Sequence, residues 1–450
     1  MTGEARLTQG SIARHLFAQT APMVVGIAAL MSVGLADAYF LGQLGSAELA
    51  AISFVFPVTT ALASLGVGVI AGVSSVVSRA LGKGDEAKAH GLANLGVLLG
   101  FALGLLIAAL LYVLRGPLFA LLQADAALLP LIDAYMQPYA LGFPLLLAMM
   151  GMNGVLRGQG AAARSTLILL AYAAANWALD PLLILGGLGI PPQGIAGAGY
   201  AAVGGWAAAL AVAFALMQTS AIPFSPRALA HTAIRPGLAA LARVAGPAAF
   251  SSAINPAGLA VLTALLAAEG QAAVAGFGAG GRLQTFAVVP LLGLSSAIGA
   301  IAGQNWGAGE YGRARRAMVQ SGLFCLVYGL AAAGVLYMGR NWFAAQFGDD
   351  PAVAAATARY LAIAVWGYAG YGVLIVATGA FNAVDRAGTA LVLTVGRVLL
   401  VMVPVALVLR GQLGADAVYG ADLAANIAGG LAAAGVALLV FRRGAGRERL

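Results

Sequence analysis

The chain has 450 residues, 61% of them hydrophobic and only 9% charged, against about 25% charged in soluble domains, so it cannot clothe itself in a polar surface and must use lipid as its solvent. Its net charge of +8 comes from basic residues that flank apolar runs without forming one patch, which argues against a nucleic-acid partner. The sole cysteine, Cys325, excludes an internal disulfide.

Taken in chain order, Arg6 to His15 reads either as a short amphipathic helix on the inner leaflet or as a basic flank of the first span. Apolar runs follow near 15–43, 49–77, 91–114, 130–156, 165–187, 194–218, 239–267, 272–302, 318–338, 354–381, 389–409 and 417–441, and each reaches the roughly 20 residues a membrane helix needs. They are continuous and rich in Ala, Leu and Gly, where barrel strands would alternate apolar with polar, so the spans are helices. The first run is too long for a signal-peptide core and reads as a retained span. Residues 219–238, with Pro223, Pro226 and Pro236, are expected to be a cytoplasmic linker between lobes at 1–218 and 239–450. All but six of the 24 Lys and Arg residues, including Arg442, Arg443, Arg447 and Arg449, fall on one side of the spans. Of the six, Arg115, Arg340, Arg359 and Arg410 lie opposite, while Arg282 and Arg397 sit within spans. The bias predicts both termini inside, in a multi-pass protein of the plasma (inner) membrane.

The second half repeats the first. Pro22 pairs with Pro247, Gly45 with Gly270, Gly142 with Gly367 and Gly154 with Gly379, all at one constant offset equal to half the chain, while Pro181/Pro404 and Gly197/Gly420 follow in nearly the same register. Ser78 to Ala89 lies over Gly303 to Ala314 at that same offset. Each half has six spans, an even number, so the halves enter the membrane from the same side as parallel repeats.

Several strings mislead. Gly307-Ala308-Gly309-Glu310-Tyr311-Gly312 matches a dinucleotide fingerprint but follows a membrane helix. Gly82-Lys83-Gly84-Asp85 matches an intramembrane protease string but lies in a charged loop. No phosphate-binding loop occurs, and His15, His90 and His231 have no metal-ligand spacing. No cofactor, metal or catalytic group is expected.

The acids carry more. Most, such as Asp85, Glu310, Asp349, Asp350 and Asp385, fall in loops, and Asp133 and Asp422 read as headgroup-level residues near span ends. Asp37 and Asp180 lie deeper, in the outer halves of the first and fifth spans. An ionised carboxylate there costs about 2.5–3.5 kcal/mol on insertion scales, so keeping two implies a polar cavity with a task. Asn176, four residues before Asp180, shares its helix face. Pro181 frees the carbonyl of Trp177. Such a cluster can hold a proton or small cation. Asn153 and Asn255 read equally as cavity residues or as glue between helices. Arg282 and Arg397 either bridge helices or line a cavity, with no acid at the matching depth.

With Asp37 to Gly45, Asn176 to Pro181 and Gly303 to Gly309 together, the chain resembles multidrug and toxic compound extrusion (MATE) transporters along nearly its whole length. The resemblance implies an all-α integral membrane protein of twelve transmembrane helices, two parallel six-helix repeats forming a V-shaped transporter. It implies export of small organic, often cationic, compounds by alternating access, in exchange for protons or sodium ions, by a monomer in membrane lipid. Carried onto this sequence, it assigns ion coupling to Asp37, Asn176 and Asp180 and helix bending to Pro22, and it makes Tyr39, Trp177, Asn153, Asn255 and Arg282 candidates for the substrate cavity. The acids that another branch carries in the seventh and tenth spans are missing, so the chain is more similar to the branch named for DNA-damage-inducible protein F. Ala202 stands where that branch has a threonine ligand, which argues for H+ over Na+. The alternatives to drug export are a lipid-linked precursor flippase of the same superfamily, and an intramembrane hydrolase using the two aspartates.

Overall fold

A computed structural model describes residues 6–347 and 350–446, so Asp349, Arg447 and Arg449 of the sequence reading lie outside the described residues. Among those described, eleven helices are each long and apolar enough to cross a membrane. They are α1 (Ile12–Gly42), α2 (Ser46–Gly82), α3 (Glu86–Leu121), α4 (Leu129–Gly158), α5 (Ala162–Leu185), α6 (Ile195–Gln218), α7 (Ile234–Ala267), α9 (Tyr311–Met338), α10 (Pro351–Ala383), α11 (Ala387–Leu413) and α12 (Ala415–Arg442). The twelfth span, α8, is broken. Its halves Gln271–Ala287 and Val289–Gly307 meet at a 41° bend where an unbroken helix was expected. Pro290, at the start of the second half, has no N–H for the preceding turn, and the hydroxyl of Tyr328 donates to the carbonyl of Ala287 at 2.9 Å.

The repeat is legible in the backbone. Gly84 and its repeat mate Gly309 both take left-handed φ values, +71° and +82°, and end α2 and α8. After α2 the side chain of Asp85 accepts from the backbone N–H of Lys88 and starts α3. The strongest repeated motif is therefore punctuation between helices. Packing repeats as well: a Cβ on Gly154 would press on the backbone of Ile70, and one on Gly379 would press on that of Ser295, the repeat mate of Ile70. Each glycine lets its helix pack backbone to backbone.

Two compact units result, one of residues 1–6 with 22–249 and the other of residues 7–21 with 250–450. The linker expected at 219–238 belongs to the first unit, where Asn94 accepts from the N–H of Ser225 at 2.7 Å. The changes of unit fall inside α1 and α7, at Pro22 and just after Pro247. The central helices are the repeat mates α4 and α10, whose most apolar windows are 83% and 67% buried, against 17–39% for the other unbroken spans. Ile132, Met136, Phe143 and Leu147 on α4 anchor the first core. On α10, Tyr360 and Tyr368 anchor one cluster of the second unit and Val376 and Phe381 another.

The segment before α1 does not form the amphipathic helix considered from the sequence. It makes one tight turn, Arg6–Thr8, and Leu7, Ile12 and Leu16 are buried in the second unit's core. The N–H of Leu7 donates to Gln304 at 3.2 Å and its carbonyl accepts from Asn305 at 3.0 Å, while Arg313 donates to the carbonyl of Gly10 at 3.0 Å. The Gln304-Asn305 motif thus holds the N-terminal segment.

Candidate coupling site

Within the first unit α1 meets α5 through small and flexible groups. Gly26 lies against Leu169 and Thr166, and Met23 packs with Ala162 and Leu169. Further along the same pair of helices Asp37 and Asp180 come together, their carboxyls within hydrogen-bonding reach of each other. Asp180 and Asn176 are fully buried and Asp37 is half-buried. Asp37 Oδ1, both oxygens of Asp180 and both amide atoms of Asn176 are enclosed with no donor or acceptor from other side chains or backbone. Two carboxylates so placed cannot both be ionised cheaply, and a hydrogen bond between them requires that one carry a proton. Such a pair has the chemistry to hold a proton. The unmatched oxygens beside it also suit a small cation.

What positions Asp180 is the end of α5. Pro181 follows it directly, and the helix widens into a π-type turn over Pro181–Leu185. Gly197 on α6 lies against the carbonyl of Leu183, leaving no room there for a side chain, so α6 clamps this turn.

Sequence reasoning missed an aromatic wall around the pair. Tyr135 on α4 and Tyr172 on α5 lie close enough to feel the charge of both carboxyls. Tyr172, Asn176 and Asp180 are spaced four apart on one face of α5. The indole of Trp206 lies beside the hydroxyl of Tyr172. Tyr139 packs edge-on to Trp206 at 4.9 Å and stacks on Tyr135 at 5.7 Å between ring centres. The i, i+4 spacing of Tyr172 before Asn176 was the one available signal.

The MatE family model matches this chain twice, at residues 22–182 and 247–408. The chain belongs to the MATE family of transporters. Each match begins at one of the paired prolines, Pro22 and Pro247, and the first spans both members of the carboxyl pair. Similar to this MATE transporter are a protein named FAD transporter of Shewanella oneidensis, 36% identical over 89% of this chain and 88% of that protein, and the multidrug export protein MepA of Staphylococcus aureus, 27% identical over 64% and 63%. Among solved structures, the MATE transporter VcmN of Vibrio cholerae in the bent form is 27% identical, with a TM-score of 0.89 over 96% of this chain and 98% of that one. Family membership sets aside the intramembrane hydrolase.

The remaining candidate residues of this MATE transporter are dispersed. Pro22 lies within α1, which runs through it without a break. Tyr39 is 66% exposed and stacks edge-on with Phe40, and Trp177 is 45% exposed where Asp180, three residues on, is fully buried. Asn153 is fully buried on α4. Its oxygen accepts from Arg157 at 2.8 Å and from Ser165 at 2.8 Å, which ties α4 to the start of α5 and away from the carboxyl pair at the other end of that helix. Ala202 is packed in the first core. In the second unit, Asn255 is half-buried with its amide oxygen unpaired, and Arg282 is exposed on α8.

Two sequence readings are corrected. Asp422 is not a solvated residue at a span end: it lies two turns inside α12, 1% exposed, bonded by Tyr360 and Asn426. Arg397 is not without an acid at its depth, because Asn426 links it to Asp422. Asp133, by contrast, is half-exposed and pairs with Arg115.

Proposed function

We propose that this MATE transporter is a secondary antiporter in which a proton held between Asp37 and Asp180 drives export of a small organic compound by alternating access. The observation that supports it is the pair itself: two carboxyls facing each other on neighbouring spans, with the buried Asn176 beside them and no basic partner among their described contacts. With one proton shared the pair carries a single negative charge, and loss of that proton leaves two facing carboxylates whose mutual repulsion and burial cost bias the protein toward another arrangement. One proton crossing about 100 mV supplies roughly 2.3 kcal/mol, so no nucleotide is required. Sodium is disfavoured by Ala202, which offers no hydroxyl. The first-unit location of the pair supports the branch named for DNA-damage-inducible protein F, and the basic bias of the connectors supports cytoplasmic termini in the inner membrane.

The cargo has two readings. Organic cations follow from the family resemblance and from the multidrug relatives. A flavin dinucleotide follows from the FAD transporter of Shewanella oneidensis, whose match covers most of both chains. The exposed Arg282 supplies a guanidinium of the kind that binds pyrophosphate. Proteoliposomes carrying an imposed pH gradient, loaded in parallel with ethidium and with FAD, test both points. Gradient-driven flux of either cargo that is lost in Asp37→Asn and Asp180→Asn is the expected result; wild-type flux in both variants overturns the coupling, and the cargo that moves decides the substrate.

A further inference from the structure

The second unit encloses a line of polar groups for which the coupling pair has no use. Tyr360 on α10 places its hydroxyl 3.0 Å from Oε1 of Gln284 on α8 and 3.3 Å from Oδ2 of Asp422 on α12. Asn426 donates to Oδ1 of Asp422 at 3.1 Å, and Arg397 on α11 donates to Oδ1 of Asn426 at 3.1 Å. All but Gln284 are buried. The ring of Tyr360 is held in a slot left by Gly280.

Counting hydrogens decides what this line requires. A phenol has one hydrogen, and here it stands between two acceptors, an amide oxygen and a carboxyl oxygen. Both contacts are hydrogen bonds only if a second hydrogen is present. Asp422 supplies it when its carboxyl is protonated: its O–H donates to Tyr360, and Tyr360 donates to Gln284. The competing arrangement turns the Gln284 amide over, so that its NH2 meets the phenol and the phenol donates to an ionised Asp422. The disposition of Arg397 favours the first. An ionised buried carboxylate attracts a buried guanidinium into direct contact. Arg397 instead bonds Asn426, which stands between them, stacks its guanidinium over the ring of Tyr371 at 4.8 Å and leaves its Nε unpaired.

The groups that face Asp422 are Tyr360, Tyr368 and Tyr371 from α10, Arg397 from α11 and Asn426 from its own helix. From α9 this layer receives the apolar Ala333 and Leu336. Arg397 is the one cation in the group, and it compensates the carboxylate once the proton has left. The repeat adds a parallel: Tyr360 is the repeat mate of Tyr135, the tyrosine beside the Asp37–Asp180 pair. Each unit places the same tyrosine of its central helix near a buried carboxyl, although the carboxyls come from different helices.

We propose that Asp422 is a second proton-binding site, where the carboxyl carries a proton bonded to Tyr360 and releases it to water past Gln284, leaving a carboxylate balanced by Arg397. Infrared spectra of the purified full-length protein in lipid nanodiscs, recorded across pH, test this without any transport assay, so the result is independent of the coupling role of Asp37 and Asp180. The Asp37→Asn/Asp180→Asn double variant is expected to retain a protonated-carboxyl C=O band that fades as pH rises. Adding Asp422→Asn removes the band, and Tyr360→Phe shifts its frequency by removing its hydrogen-bond acceptor. Asn at 422 keeps a donor for Tyr360 and so preserves packing, and Tyr360→Phe provides an independent readout. Absence of the band from the double variant, its survival in Asp422→Asn, or its indifference to pH would each overturn the proposal.

Discussion

Asp37 and Asp180 present their carboxyls to each other across the α1–α5 contact, while Asn176 and both Asp180 oxygens find no other hydrogen-bonding partner. Groups sharing one proton act as a unit, and the effects of removing the members of a unit do not multiply. Asp37→Asn and Asp180→Asn are each expected to lower gradient-driven flux in proteoliposomes by about tenfold or more, and the double variant by no more than the worse single one. Losses that multiply in the double variant would mean the two acids work separately.

Asn153 is a structural residue by its bonds, since its oxygen takes hydrogens from Arg157 and Ser165. Asn153→Ala takes from the buried Ser165 hydroxyl its acceptor and from the half-buried Arg157 one of its partners, at a cost of about 1–3 kcal/mol. The expected result is a lower melting temperature in detergent with unchanged flux per folded molecule. Lost flux at unchanged stability would return Asn153 to the transport path.

Much of this was legible from residue type. Twelve spans follow from apolar length, and the break in α8 escaped because Pro290 lies in a run whose hydropathy does not change there. Asp37 and Asp180 stood out because a carboxylate is costly at membrane depth. Tyr135, Tyr139, Tyr172 and Trp206 did not, because an aromatic residue in a span is ordinary and only the tertiary contact gives it a task. Asn153 was ambiguous, although Arg157 one turn on was the sign of its partner. Asp422 was misread because nearness to a span end says nothing of burial, which here comes from Tyr360 on another helix and from Asn426. The network from Gln284 to Arg397 joins four helices, and no local pattern announces it.

Repeat mates need not tolerate the same change. A Cβ at Gly197 would overlap the carbonyl of Leu183 in the widened turn after Asp180, whereas one at Gly420 would meet nothing within 4 Å. Gly197→Ala is expected to destabilise by about 1–3 kcal/mol through overpacking, and Gly420→Ala to stabilise by up to about 1 kcal/mol through helix propensity. Thermal unfolding of the two variants side by side checks the opposite signs. Equal shifts would mean that the clamp of α6 on α5 is not rigid.

Asn305 holds the start of the chain to the second unit. Its side-chain N–H groups donate to the carbonyls of Leu7 at 3.0 Å and Ile301 at 2.8 Å, and its oxygen accepts from Arg313 at 3.0 Å, while Arg313 also reaches Gly10. Asn305→Leu matches the volume but supplies no polar atom, so the Leu7 carbonyl and the Arg313 guanidinium each lose a partner. The cost is about 1–3 kcal/mol for the buried carbonyl, and less for Arg313, which can turn toward solvent. The loss is local. Leu7, Ile12 and Leu16 still have an apolar surface to cover, so the segment should loosen without the unit unfolding. Hydrogen exchange should therefore speed up at residues 6–12 in Asn305→Leu and stay unchanged in α10, the buried centre of the same unit. Exchange that rises equally in α10 would show that the motif supports the whole core, and exchange unchanged at residues 6–12 would show that the apolar contacts alone hold the segment.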